Sequence, residues 1–396
     1  MRSNTWRAFM LLSLTLVLVS TAVDAQAARR SSLAGNQFIN DADDMFAFPQ
    51  LTMKYKNRVI IDMGNDGDEG NASIVFGDNM VWNFNTGRSD FLNNTANWAW
   101  GGADRFGIPD VNGLPPTNIS GLNGRLEWWD LGMATQLGET PFGFNISYAT
   151  DKAKTTPADA EATTDLSTNM FSIQLGATLG SVELAGEVGF GSFTQKAPTL
   201  DPQDMNDHSF FNFSLLARGD LEDVGGLDWR WIAAFANGST KPKMTDAVNL
   251  TSTGFRGSFG PVWGTPGEWE VAAYMTFDSY SYEEPNGNGD NLVDKDSQTT
   301  FPGFNMAMEY YLNSWFVARG GVMSHNATDT FKSEVTGGGE DEDVERNFDF
   351  MWTLGLGVDK GNWGLDIALE EDEVATGYLP FNGDADEPIA YLSAWL

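Results

Sequence analysis

The sequence predicts an all-β fold: a transmembrane, antiparallel, up-and-down β-barrel of about 16 strands, with 14 as the alternative count. Three observations carry this. Apolar residues alternate with small or polar ones in one hairpin after another. The connectors between strands alternate between short and long. The chain also opens with an export signal.

The N-terminus comes first. Arg2 and Arg7 precede the apolar run from Phe9 to Val23, and Val23-Asp24-Ala25 supplies small residues for cleavage. That layout makes residues 1–25 a signal peptide. The run is shorter than the ~20 residues a spanning helix needs, and no later stretch is long and apolar enough for one. Residues 26–50 follow as a periplasmic lead-in or a hatch in the lumen, and residues 51–396 form the barrel.

The short stretches 57–64, 72–77 and 80–87 are the first strand candidates; counting them separately gives the higher strand number. From residue 125 the hairpins are 126–137 with 142–150, 170–179 with 182–193, and 210–219 with 228–237. Next come 250–260 with 269–282 and 303–312 with 315–325. The stretch "FMWTLGLGVDKGNWGLDIALEED" (350–372) is two strands about a tight turn, and 387–396 closes the chain.

Residues opposite one another in a hairpin share a face, so apolar sets must match across each turn. They do when Val358 faces Trp363, Leu356 faces Leu365 and Leu354 faces Ile367. Leu137 with Phe142, Thr135 with Phe144, Leu179 with Val182 and Leu175 with Gly186 close two more hairpins. The 303–325 hairpin fits only with an odd turn or a bulge. Links at 138–141, 180–181, 220–227, 261–268, 313–314 and 359–362 are brief. Those at 88–124, 151–169, 194–209, 238–249, 283–302, 326–347 and 371–386 are long, polar and acidic. Short periplasmic turns opposite long acidic extracellular loops is the arrangement of a membrane barrel.

The apolar face is expected to point into lipid. Its opposite face is Gly, Ala, Ser, Thr and Asn, as in Gly143, Asn145, Ser147 and Ala149, which suits a crowded polar interior. Trp263, Trp269, Tyr280, Tyr282, Tyr310, Tyr311 and Trp363 gather near strand ends, as aromatic girdles do. The chain has 43 glycines in 396 residues, 13% aromatics and no cysteine, so an exported fold here cannot rest on disulfides. Its formal charge of −32, from which signal cleavage removes two bases and one acid, argues against nucleic acid as a partner. Outer-membrane lipid, lipopolysaccharide and small solutes are the expected partners.

Parity assigns the lumen-facing charges. Glu183 and Glu187 lie on one strand, and Arg218, Arg230 and Arg256 on the next three. Glu270, Asp278, Glu309, Arg319, Asp366 and Glu370 complete the set. Such charges either select permeants electrostatically or pair across neighbouring strands and stiffen a closed lumen. In the acidic run "GGGEDEDVER", Glu340, Asp341, Glu342 and Asp343 are the candidate Ca²⁺ ligands, since hard oxygens suit that ion. A solvated acidic loop is the plainer reading, there and at "NDGDEGN" (65–71). No enzyme is expected: the two histidines, His208 and His325, lie near strand ends. The adjacent Ser324, His325 and Asn326 cannot form a triad, whose members converge from separate segments.

The chain from residue 26 onward resembles a bacterial outer-membrane β-barrel of the porin kind. A narrower likeness lies in "LAGNQFINDADDMFAFPQLT" (33–52), which looks like the N-terminal segment of the long-chain fatty-acid transporter family. There an acidic pair precedes an Asn-Pro-Ala motif; here Asp43 and Asp44 stand before Phe48, Pro49 and Gln50, with only the proline kept. That resemblance implies a hatch folded into the lumen. The leading expectation is a porin-like channel for small polar solutes. Its alternatives are a hatch-gated transporter of hydrophobic compounds and a non-conducting structural or adhesion barrel.

Overall fold

Tight turns set the register of the sheet. Gly138 and Gly180 hold φ of +66° and +63°, a left-handed backbone that costs glycine least, at turns of two residues each. In a computed structural model, residues 28–63, 70–86, 127–155, 164–196, 207–221, 227–242, 250–265, 267–285, 293–335, 339–360, 363–370 and 391–395 are described. Residues 1–25, the expected signal peptide, lie outside them, as does most of 65–71.

Sixteen strands occur among the described residues. The first three, β1 (Arg58–Met63), β2 (Gly70–Gly77) and β3 (Met80–Thr86), are separate, which decides against a count of 14. Then come β4 (Glu127–Leu137), β5 (Thr140–Thr155), β6 (Thr164–Leu179), β7 (Val182–Lys196) and β8 (Asp207–Leu221). They are followed by β9 (Asp228–Pro242), β10 (Leu250–Thr265), β11 (Trp269–Pro285) and β12 (Val293–Asn313). The last four are β13 (Phe316–Val335), β14 (Gly339–Asp359), β15 (Gly364–Glu370) and β16 (Tyr391–Trp395). Each pairs antiparallel with its sequence neighbours, and β1 pairs with β16 from Ile60↔Trp395 to Met63↔Leu392, closing the barrel.

Register agrees with the sequence at Leu179↔Val182 and Leu175↔Gly186. Elsewhere it slips by two. Thr135 faces Phe142 and Leu137 faces Thr140; Val358 faces Leu365 and Leu356 faces Ile367. The turns are tighter than "GETP" and "DKGN" suggested, so each ladder extends further toward its turn. An even slip leaves every side chain on its expected face. The 303–325 hairpin contains its bulge, between Tyr311 and Asn313.

The long loops are a second correction. Much of 283–302 and 326–347 is strand: β12, β13 and β14 run 21, 20 and 21 residues. Ladder hydrogen bonds continue wherever two backbones stay aligned, whatever the side chains. Apolar alternation stops before these strands do, so the sequence signal ends short of the strand's own end.

The outward face is apolar. On β14, Phe350 and Leu356 are 53% and 51% exposed, whereas Thr353 on the inner face is 1% exposed. Trp269, Tyr310, Trp315 and Trp363 lie exposed near the short turns. Tyr280, Tyr282 and Tyr311, expected in the girdles, belong to the lumen. Tyr280 and Tyr282 pair with buried Gly254 and Ser252, and Tyr311 with buried Val317. No helix among the described residues is long and apolar enough to cross a membrane.

The lumen is occupied. Two short helices, α1 (Ala28–Ser32) and α2 (Asp44–Ala47), and a 3₁₀ segment (Pro49–Tyr55) fold inside it. Leu33, Phe38, Ile39, Phe48 and Leu51 of this segment pack against Leu216, Ile232, Ala234 and Tyr274 of the wall. Phe38 stacks on Tyr274 with ring centroids 4.3 Å apart.

Candidate functional site

The N-terminal segment is held by backbone groups first. Leu33 and Gly35 amides donate to the Arg30 carbonyl at 3.1 and 3.0 Å, ending α1. The Asn36 Oδ1 then accepts from the Phe38 and Ile39 amides at 3.0 and 3.1 Å, turning the chain back on itself. Amide side chains tie these turns to the wall. Asn36 donates to Asn305 Oδ1 at 2.6 Å, and Asn305 donates to the Ala34 carbonyl at 2.8 Å. Gln174 donates to the carbonyls of Phe46 and Ala47, both at 2.8 Å. Gln50 donates to the Ala177 carbonyl at 3.1 Å, and the Ala34 amide to Thr353 Oγ1 at 3.0 Å.

Small residues on the inner wall make this contact possible. A Cβ at Gly143 would collide with the backbone of Pro49 and Gln50, and one at Gly176 with the Gln50 side chain. Gly321 and Gly355 stand in the same relation to Leu33–Ala34 and to Ser32. The small inner face is therefore small because a folded segment presses on it.

Two chains of charge join segment and wall. In the first, the fully buried Asp44 accepts from Arg30 at 2.5 Å and from Arg218 at 2.8 Å. Arg218 continues to Glu183 at 2.6 Å, which Lys54 approaches at 3.5 Å. The Arg218 guanidinium also lies 4.9 Å from the Phe48 ring centroid. In the second, Arg29 meets Glu309 at 3.0 Å, Glu309 meets Arg319 at 2.6 Å, and Arg319 meets Asp366. Arg230, paired with Asp220 at 2.6 Å, donates to the Phe38 carbonyl.

These contacts set the ionisation of the segment. Burial alone would raise the Asp44 pKa, but Arg218 and Arg30 outweigh it and hold the carboxyl at about 2. Burial works against the charges of Arg29 and Arg30, yet Glu309 and Asp41 for the former, and Asp44 and Asp41 for the latter, keep both pKa values above their ordinary range. Tyr55 is pushed up by burial and by Asp44 and Asp41, so it stays neutral while donating to the Asp41 carbonyl at 2.6 Å.

Of the charges expected on the lumen face, Glu183, Glu187, Arg218, Arg230, Arg256, Glu270, Asp278, Glu309, Arg319 and Asp366 all lie on the inner parity of their strands. Glu370 ends β15 opposite Thr353. Arg218, Arg230 and Arg256 form the expected basic arc on β8, β9 and β10. Two members of the arc are engaged, since Arg218 and Arg230 grip the N-terminal segment, and beyond the arc Arg319 is held between two carboxylates. Of the expected hatch residues, Asp44, Phe48 and Pro49 are buried and Asp43 is partly so, 3.9 Å from Arg30. The segment continues to Tyr55, five residues beyond its expected end.

Sequence reasoning missed Arg29, Arg30, Asn36, Gln174 and Asn305, and gave Gln50 no role. The basic pair Arg29-Arg30, set before the acidic pair Asp43-Asp44, was the available signal. Glu340, Asp341, Glu342 and Asp343 sit on β14 rather than in a loop. Extended backbone sends successive side chains to opposite faces, and Glu342 lies 3.5 Å from Lys332. Among the described residues no three or more His, Cys, Asp or Glu side chains gather as for a metal ion. His208 and His325 lie on β8 and β13, five strands apart.

No protein-family model matches the chain, and no curated protein matches it in sequence. Solved structures similar to it include CdiB from Escherichia coli, at 12% identity over 86% of this chain and 62% of that one, with a TM-score of 0.41. The ferric yersiniabactin uptake receptor FyuA from Yersinia pestis is 10% identical over 62% of this chain and 44% of that one, with a TM-score of 0.35. The siderophore receptor PirA from Pseudomonas aeruginosa is 7% identical over 85% and 79%, with a TM-score of 0.32. The chain thus spans less than two thirds of the first two, and likeness at this level assigns no function.

Proposed function

We propose that this chain is a hatch-gated transporter in a bacterial outer membrane, with residues 28–55 as the hatch, short turns in the periplasm and long strands projecting outside. The observation that carries this reading is the pair of ion chains, Arg30–Asp44–Arg218–Glu183 and Arg29–Glu309–Arg319–Asp366, which fasten a folded segment across the lumen. Side-chain bonds are a fastening that can be undone without unfolding the barrel. The cargo class is a small hydrophobic compound. Where the hatch meets β7 to β12, the wall offers Leu216, Ile232, Tyr274 and several alanines, an apolar track bordered by the arginine arc. Catalysis has no part in this reading.

Single-channel recording in planar bilayers tests it, comparing wild type with Arg218→Glu. Removing one partner of a buried ion pair costs about 3–5 kcal/mol, enough to shift the docked population by at least about 100-fold. A wild type that is mostly silent and a variant that is mostly open is the expected result. Steady wild-type conductance would favour a porin for small polar solutes instead. Silence from both folded proteins would favour a sealed structural barrel.

A further inference from the structure

The outer wall carries a concavity that gating does not use. It spans β5 to β10, encloses about 530 Å³, and is lined by Phe142, Leu175, Leu184, Leu215, Phe235 and Phe255 around a floor of small residues. Register explains the floor. Ala177, Leu184, Ala217 and Ala233 follow one another across β6 to β9 on the outward face. The adjacent outward row runs Leu175, Gly186, Leu215, Phe235 and Phe255. The pair Ala217–Ala233 thus leaves a trough beneath the Leu215–Phe235–Phe255 ridge.

We propose that this groove binds one acyl chain of a phospholipid from the membrane leaflet nearest the short turns. The groove is continuous with the band the barrel already presents to hydrocarbon, so its neighbours in place are lipid chains. Its volume falls within the roughly 300–1,000 Å³ range of specific small-molecule sites, and no side chain lining it carries a hydrogen-bonding group. That excludes a polar ligand and suits an acyl chain, held by packing against the groove walls rather than by transfer out of water. Phe142, Leu184 and Ala217 lie within a few residues of the turns at 138–139 and 180–181 and of the end of β8 at Leu221. With those turns periplasmic, as proposed above, the leaflet is the phospholipid one. The wall is a single strand layer here: Ala185, Leu216 and Ala234, which form part of the groove, also pack on the hatch.

Native mass spectrometry of the intact barrel, released from bilayers of palmitoyl-oleoyl phosphatidylethanolamine, tests this independently of conductance. One retained phospholipid per barrel is expected, with retention falling at least tenfold in Ala217→Phe/Ala233→Phe. Leu356→Phe, on the far wall, should retain the lipid as wild type does. Ala233→Leu provides a smaller filling should the double variant fail to insert, with a several-fold fall expected. A wild type without adduct overturns the proposal. So does equal retention in every folded variant, an adduct of lipopolysaccharide or free fatty acid in place of phospholipid, or a second copy of the chain on this face.

Discussion

Asp44 joins the hatch to the wall through two arginines. Arg30 and Arg218 hold it from the hatch and wall sides, with Asp41 and Glu183 as the nearby carboxylates. Its carboxyl titrates at about 2 when docked, below its ordinary 3.8. A depressed pKa adds stability that is complete above the ordinary value and lost as pH falls through the docked one. The contribution is worth roughly 2 kcal/mol at neutral pH. The Asp44 contribution to docking should therefore be flat from pH 7 to about 5, weaken below 4 and be lost near 2. Hydrogen exchange at the Phe46 and Phe48 amides would show it. In Asp44→Asn the acid-dependent loss of protection at Phe46 and Phe48 should shrink, with lower protection throughout. A profile unchanged by that substitution would remove Asp44 from the docking account.

At the scale of the element, period-2 alternation made the barrel legible before any coordinates. Phe350, Leu354 and Leu356 against Thr353, Gly355 and Gly357 is a pattern that only a two-faced strand produces. The same pattern hid where strands end. Beyond Phe348 the outward positions of β14 include Val344 and Glu342, and all of 341–350 is exposed. No hydrophobic rhythm distinguishes a solvated ladder from a loop, so the acidic run of β14 read as a loop. The hydrocarbon boundary inferred this way can be tested with paired substitutions. Leu354→Arg should cost about 2–4 kcal/mol in refolding into bilayers, as for a charge near the midplane of a barrel wall. Val344→Arg should cost less than about 1 kcal/mol. Equal penalties would place the boundary elsewhere.

For the whole molecule, parity put the lumen charges on the correct face but could not say what they touch. Arg218 and Glu183 are 35 residues apart, and the hatch residue that Arg218 also holds, Asp44, is 174 residues from it. Pairings at such separations leave no periodic trace. The hatch itself was legible only as one of two readings of residues 26–50, because short irregular segments carry no repeat to recognise. Its role as a gate makes a further prediction. A Cβ at Gly321 would lie 2.5 Å from the Leu33 carbonyl carbon and 2.7 Å from the Ala34 nitrogen, so Gly321→Ala has no room unless the hatch moves off the wall. Planar-bilayer conductance of Gly321→Ala should rise above that of wild type. A folded Gly321→Ala barrel as silent as wild type would mean that the hatch does not gate.

The hatch takes its anchors from strands far along the chain. The Ala34 amide rests on Thr353, and Arg29 is bonded to Glu309. None of those bonds can form before the strands that supply them are in place, and those strands belong to a wall whose seam joins Ile60 to Trp395. The stopper's final seat is therefore a property of the assembled wall and not of the N-terminal segment by itself.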